Sequence, residues 1–485
     1  MKRQVFNPYL PSYEYVPDGE PHVFGDRLYV FGSHDAFGAD SFCVNDYVCY
    51  SAPVDDLSDW KFHGTIYQAV RDPLNKKGNQ FMNAPDVCKG SDGRYYLYYQ
   101  LHLEMVTSVA VADKPEGPYA FYGYVKHEDG ILYGKKKEDA YNFDPGMLVD
   151  DDGRVYMYTG FSPDKGFMRF VMELRGGTYD GGSVVQLDKD MLTIVEKEIP
   201  TIPGCVKAKG TEFDGHGFFE ASSPRKINGL YYLVYSSILS HELCYATAKN
   251  PVGPWKYGGT IVSIGDIGLP GVAAEKARNF TGNTHGGLVE VKGQWYVFYH
   301  RQTNRQKCAR QGCAEKISIA PDGKIRQVEI TSCGLNDGPL KAMGKYEARI
   351  ACNLWGAKGT YAYVKSHHKE AEYPYFTQSG GDREDNPDQY IANMRSGSVA
   401  GFKYFDFRAD TPKKIMMEFR GNGTGKVLVR TKPEGKTIAE LAVNASENWM
   451  NSEAELEGMA GIYPLYFEYI GEGYIDFNSF TLKGT

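Results

Sequence analysis

The chain has no C-x-x-C pair, no apolar run in its opening "MKRQVFNPYLPSYEY", and no stretch long and apolar enough to span a membrane. Each absence removes a class of protein. The nine cysteines are scattered from Cys43 to Cys352, and the close pair Cys308 and Cys313 has no second pair to complete a metal-ligand set. They read as buried, reduced thiols. Together with the polar opening, that sets a cytoplasmic location as the expectation. Basic residues are not in excess: 54 Lys and Arg face 61 Asp and Glu, for a net charge of -7. A nucleic-acid partner would need a basic face, so none is expected, and neither is a membrane partner.

Aromatic residues and glycine are abundant. There are 37 Tyr, 25 Phe and 55 Gly. Tyr and Phe favour pleated, half-buried surfaces and Gly favours tight turns, so the composition leans all-β. One pattern recurs five times: "GDRLYVFGSHD" from Gly25, "GRYYLYYQ" from Gly93, "GRVYMYTG" from Gly153, "GLYYLVYSS" from Gly229 and "GQWYVFYHR" from Gly293. Each copy is a Gly-led turn followed by alternating aromatic and aliphatic residues, and the copies lie 60 to 76 residues apart. A strand pattern returning at a long regular period predicts a propeller, here with five blades of four strands.

A second regularity precedes each turn. Asp18, Asp86, Asp144, Glu220 and His285 stand seven to nine residues before the five turn glycines. If the strand entering each turn is the innermost of its blade, four carboxyl groups and one imidazole converge on one axis. Such crowding is costly, and it is retained where a metal or catalysis uses it. Two carboxyl groups flanking a bond are what glycoside hydrolysis needs, one as acid and one as base or nucleophile. A third nearby charge can hold their pKa values apart.

These segments carry a resemblance. The early Asp before "VFGDRLYVFGSHD", then "NAPDV", "NFDPGMLVDDDGRVYMY", "FFEASSPRKINGLYYLVYS" and "THGGLVEVKGQWYVFYHR" resemble, in order, glycoside hydrolase family 43 over about the first 335 residues. The resemblance implies a five-bladed propeller of inverting enzymes acting mostly on xylan and arabinan side chains and oligomers. It implies Asp18 as the general base, Glu220 as the general acid, and Asp144 as the group that tunes the acid and orients the sugar. One departure stands out. The family's base precedes Pro, whereas Asp18 precedes Gly19 and the acid before Pro is Glu20. Gapless registration favours Asp18, and Glu20 is the alternative, since residues two apart on a strand share a face. Under the first registration Glu20 supports the site or pairs with a cation.

The resemblance also implies that Arg301 partners Asp144 and a sugar hydroxyl. It makes His285 a candidate beside a water-coordinated calcium on the propeller axis, although Ca²⁺ prefers oxygen ligands. His34 and Asp35, closing the first inner strand, are expected on the pocket floor. Phe81 and Phe219 are expected as sugar-stacking faces, and Asp86 as a structural residue near the axis. No cofactor is expected for the chemistry itself.

The propeller pattern stops near "SCGLNDGPLKAMG", and short alternating strands follow. They predict a β-sandwich, jelly-roll-like, over residues 339–485 after a propeller over 1–338. The strand "GFKYFDF", Trp449 and the closing "YIDFNSFTL" resemble carbohydrate-binding module family 6. That resemblance implies a structural calcium between first and last strands, with Glu347 and Asp476 as candidate ligands. It leaves open whether the domain binds sugar or shapes one wall of the active-site mouth.

The expected activity is that of an inverting exo-glycosidase releasing α-L-arabinofuranosyl or β-D-xylosyl units from xylan-derived oligosaccharides. An endo-acting arabinanase or xylanase is the rival enzyme. A non-catalytic sugar-binding propeller is the rival from another class.

Overall fold

A computed structural model of the chain describes residues 3–102, 104–164, 169–170, 180–363, 372–383 and 388–484. Its five N-terminal sheets are the five repeats. Each begins with an inner strand: Glu20–Phe24, Asp86–Lys89, Gly146–Val149, Phe218–Ile227 and Leu288–Val291. Each inner strand turns antiparallel into the aromatic-rich second strand through the repeat glycine, whose φ lies between 64° and 86° at all five positions. Only glycine occupies that left-handed region without strain, which explains why the turn residue recurs.

The second strands are buried almost end to end. Tyr95–Gln100, for example, is half-buried at its first residue and buried at the next five. They lie between the faces of neighbouring sheets, so alternation gives way to a continuous apolar run. The first, second and fourth sheets have four strands in sequential order. The third is larger and takes in Lys126–His127 from the connection before it. The fifth has three strands, against the four expected. Its outer strand, Arg310–Ile317, is instead covered by the N-terminal segment. The Asn7 amide donates to Ala314 O at 2.9 Å, its carbonyl accepts from Ala314 N at 2.9 Å, and Tyr9 N donates to Gly312 O at 3.3 Å. First and last blades are thereby closed on one another, and the edge strand is not left open.

Beyond Leu340 two six-stranded sheets pack face to face as a β-sandwich. The strand Lys414–Gly421 alternates strictly between half-buried and buried positions, as a strand with one core face must. Phe402, Phe467, Phe477 and Phe480 are fully buried and in mutual ring contact at 4.9 to 6.4 Å. All nine cysteines are unbonded. No helix among the described residues is long and apolar enough to cross a membrane.

The two parts share a core. Phe280, from the propeller, packs in the sandwich interior against Tyr361, Tyr363 and Tyr373. Its neighbour Thr281 exchanges backbone hydrogen bonds with residues 361 and 363 of the sandwich. A second joint is ionic: the buried Lys403 ammonium lies 3.0 Å from Asp266 Oδ2 and 2.8 Å from Glu329 Oε2. Removing one partner of a buried pair strands the other charge, at a cost of roughly 3–5 kcal/mol. Lys403→Met is therefore expected to destabilise the chain by about that amount in urea unfolding, and adding Asp266→Leu should recover part of the loss.

Candidate active site

The inner strands deliver the axial residues as the repeat spacing requires. Asp18, Asp144 and His285 stand just ahead of their strands, Asp86 opens its strand, and Glu220 is the third residue of its own. Asp18 and Asp144 have left-handed backbones, φ 56° and 48°. Asp tolerates this region better than most residues, but Asp144 also precedes Pro145, which favours extended conformations, so its backbone is strained. Glu220 sits in a bulged stretch of strand pairing beside Ala221 at φ 70°. The bulge turns the carboxyl out of the regular ladder.

Asp18, Asp144, Glu220 and His285 line one cavity of about 750 Å³. A wall of four aromatic rings, Tyr141, Phe143, Phe161 and Phe219, runs along it with neighbouring centroids 5.1 to 6.1 Å apart. Asn83, His102, Lys307 and Arg310 form the polar side, with the Phe42 ring beneath Lys307 and Arg310. Ala362 and Tyr363 of the sandwich contribute the remaining wall, so the C-terminal domain reaches the cavity.

The ionisation states diverge sharply within this space. Asp18 is buried, which alone would raise its pKa, yet it is held down at about 2. The cause is Arg310, whose Nη1 lies 2.8 Å from Asp18 Oδ1, with the Ser33 hydroxyl donating to Oδ2. His300 is also 3.3 Å from Asp18, but burial keeps it neutral, with a pKa of about 3. Its Nδ1 accepts the Asp18 backbone N–H at 3.2 Å and its Nε2 donates to Asn283 O at 2.8 Å. Glu220 moves the other way. Burial and the neighbouring Asp144 push it up to about 8. Asp144 is raised to about 7 by burial, against the pull of His285. His285 has its Nδ1 3.6 Å from Asp144 and 4.0 Å from Asp18, and its Nε2 3.7 Å from Glu20. Burial opposes its charge, but those carboxyls lift its pKa to about 9.

Several sequence expectations are corrected here. Arg301 is not at the cavity. Its guanidinium donates to Ala351 O at 2.8 Å and Arg349 O at 2.6 Å and stacks on Phe376, at the joint between domains. The reason is strand parity. His300, Gln302 and the cross-strand partner of Gln302, Arg310, share the face turned to the axis, and Arg301 has the other. Arg310, unremarked in the sequence, is the arginine of the site, and alternation along "YHRQ" was the available signal. Asp35 grips it from behind, accepting from Nε at 2.8 Å and Nη2 at 3.0 Å, and so does not touch the cavity. His34 is buried against Asp46 O and Arg383, also off the cavity. Phe81 does not line it either; its carbonyl accepts from His102 N at 2.9 Å and so helps set that ring. Phe219 does line it.

Glu20 lies behind Asp18 rather than beside it. Its Oε2 accepts from Arg225 Nη2 and from the Ser223 hydroxyl, both at 3.0 Å, and it does not line the cavity. The left-handed turn at Asp18 breaks the two-residue parity that would have put both on one face. Asp86 ties three blades together. His22 Nε2 lies 2.6 Å from its Oδ1, and Met147 N donates to its Oδ2 at 2.7 Å.

The two calcium expectations fare differently. On the axis, Asp86 and Glu20 Oε2 are engaged by protein donors, and Glu20 Oε1 faces His285 without a hydrogen-bond partner among the described residues. Calcium takes six to eight oxygens, so an ion beside His285 would rest mainly on water, as the expectation has it. In the sandwich the expected donors do not fit: Glu347 pairs with Arg349, while Asp476 pairs with Arg420 at 3.1 Å and accepts from Asn393 N at 3.0 Å. Glu347 opposes Ser479, three residues along the strand from Asp476 and thus about 10 Å away. Trp449 is half-buried and stacks on Arg420 at 4.3 Å.

A propeller whose axis opens into an aromatic-walled cavity, with one carboxyl held ionised and another held protonated, has the acid and base that a glycoside hydrolase needs. Residues 16–325 match the family described as "Glycosyl hydrolases family 43", and the chain belongs to that family. It is 46% identical over 484 residues to a "Xylosidase/arabinosidase" of Thermoclostridium stercorarium, covering 99% of both chains. An "Arabinoxylan arabinofuranohydrolase" of Paenibacillus polymyxa is 25% identical over 493 residues, covering 95% of this chain and 70% of the other. Among solved structures, a β-xylosidase/α-arabinofuranosidase from a compost microbial metagenome, in complex with xylotriose and in calcium-free form, is similar with a TM-score of 0.51. It is 25% identical and covers 68% of this chain and 99% of its own.

Arg310 gives this site a direct test. Arg310→Lys keeps a charge but loses the fork that engages Asp18 and Asp35 together. A fall of about 10²-fold in kcat/KM is expected, as for a comparable misplacement of a reacting group. The acid limb of the pH profile should also move up, because Asp18 then titrates at higher pH.

Proposed function

We propose that the protein is an inverting, exo-acting glycosidase that removes α-L-arabinofuranosyl or β-D-xylosyl units from xylan- or arabinoxylan-derived oligosaccharides. The observation that carries this reading is the opposite displacement of two carboxyl pKa values within one cavity, Asp18 to about 2 and Glu220 to about 8.

At neutral pH Asp18 is a carboxylate and serves as the general base. It takes a proton from a water that attacks the anomeric carbon from one side. Glu220 is a carboxylic acid and gives its proton to the glycosidic oxygen on the other side. An inverting enzyme needs both at once, with a water between base and sugar. Asp144, close enough to raise the Glu220 pKa, keeps the acid loaded and accepts from a sugar hydroxyl. His285 partly neutralises Asp18 and Asp144, so the carboxyl groups can share the space. The rings of Phe143, Phe161 and Phe219 offer apolar faces to the sugar, and excluding water there strengthens every charge in the site.

The exo reading is supported by the sandwich wall at Ala362 and Tyr363, which favours entry of a chain end over passage of a continuous polymer. Relatives named for both xyloside and arabinoside hydrolysis support dual sugar use. Asp18 and Glu220 carry the acid–base chemistry, so no metal is required for it.

Asp18→Asn and Glu220→Gln are each expected to lose about 10²–10⁴-fold in turnover of nitrophenyl β-xyloside and α-arabinofuranoside, while Glu20→Gln keeps most of it. Loss confined to the Glu20 variant would reverse the base assignment. Activity should hold from moderately acid pH and fall as pH rises through about 8, where Glu220 loses its proton. Proton NMR of the first-formed sugar should show the inverted anomer; a retained anomer rejects the mechanism. Silence on both glycosides, with linear arabinan cut internally, rejects the exo reading.

A further inference from the structure

A second cluster of ligand-type side chains is built into the fourth blade. Glu242 and Cys244 stand two apart on the strand Glu242–Ala248 and share one face. His216 meets them from the turn leading into Phe218–Ile227. Its Nδ1 lies 2.7 Å from Glu242 Oε1, while Cys244 Sγ is 3.3 Å from that oxygen and 3.9 Å from the imidazole nitrogen. Glu242 and Cys244 are buried, and the His216 side chain is 33% exposed.

This geometry is close to that of a metal site. Zinc bonds of about 2.0–2.3 Å in a tetrahedron hold their donor atoms roughly 3.3–3.7 Å apart. The two separations involving sulfur are already near that spacing, so only the His216–Glu242 contact has to open, by about half an ångström. Glu242 is oriented from behind, accepting from the Ser237 hydroxyl at 2.6 Å and the Thr260 hydroxyl at 2.9 Å. The Tyr257 ring stacks on His216 at 5.2 Å. A hydrogen-bonded hub would need only the histidine and the hydroxyls. A buried thiol adds little to such a hub, because S–H is a weak donor. Sulfur, nitrogen and oxygen together favour zinc-class ions over calcium or magnesium.

We propose that His216, Glu242 and Cys244 form a three-ligand site for a thiophilic divalent ion of the zinc class, with water in the fourth position on the exposed side of His216. Binding releases the Cys244 thiol proton to solvent and leaves His216 a neutral imidazole with its hydrogen on Nε2, a second proton being released only from the imidazolium form. The ion would join the turn four residues before Glu220 to the third strand of the same blade, bracing the strand that carries the acid. Sequence spacing gave no sign of this site, because His216 lies 26 residues before Glu242 and only Glu242 and Cys244 are near neighbours in the chain.

The test is titration of the metal-stripped full chain with Co²⁺ as a spectroscopic stand-in for zinc. One ion per chain is expected, with a thiolate-to-cobalt charge-transfer band in the near ultraviolet. Cys244→Ser should abolish the band, and Cys205→Ser should leave it unchanged. His216→Ala and Thr260→Val should weaken binding by about tenfold or more. Zn²⁺ should raise the melting temperature of the parent chain and not that of Cys244→Ser. No band in the parent chain at excess Co²⁺, or a band that persists in Cys244→Ser, overturns the proposal. Should Cys244→Ser fail to fold, undiminished cobalt binding by His216→Ala overturns it equally.

Discussion

One imidazolium ring holds the charge balance of the propeller. His285, from the fifth blade, stands within 4.0 Å of Asp18 and Glu20 from the first and Asp144 from the third. Two like charges 4 Å apart repel by about 4 kcal/mol at an effective dielectric constant of 20. Three carboxylates could not be held in that space without a cation among them. Arg310 breaks the remaining symmetry. It lies against Asp18 and not against Glu220, so one carboxyl is fixed as an anion and the other is left in an apolar, acid-stabilising wall. Acid and base thus differ in environment far more than in chemical type.

The support for that arrangement lies away from the cavity. Asp35 fixes Arg310, Glu20 and Arg225 brace the floor behind Asp18, and Asp86 couples the first three blades through His22 and Met147. None of these side chains reaches substrate space, yet each orients a group that does or ties together the strands that carry one. The left-handed backbones at Asp18 and Asp144 belong to the same economy of position. Strained residues persist where surrounding structure over-determines them, and here the blades supply that constraint.

The fivefold repeat and the five axial residues were legible because both follow from periodicity, a local property of the chain. What failed was local parity at two places. Arg301 lies between strand neighbours that face the axis and itself faces away. Glu20 was weighed as sharing a face with Asp18, but the left-handed turn at Asp18 ends the strand alternation. Arg310 was legible in principle, since it pairs with Gln302 across the hairpin. Tyr363 and the His216 cluster were not, because each depends on segments brought together only by the tertiary fold. The aromatic wall was partly visible. Phe219 stands beside a recognised acid, whereas Phe143 and Phe161 lie in connecting segments with no local sign of the cavity.

The joint between the domains has an unexpected reach. Phe280 is packed into the sandwich interior, Thr281 is hydrogen-bonded to it, and the same short segment runs on through Asn283 to His285. The residue that balances charge at the axis is therefore anchored, five positions upstream, in the other domain's core. In this chain the sandwich is thus part of what positions His285, and a substitution deep in the sandwich core is expected to surface as a change in the proton affinity of the catalytic acid.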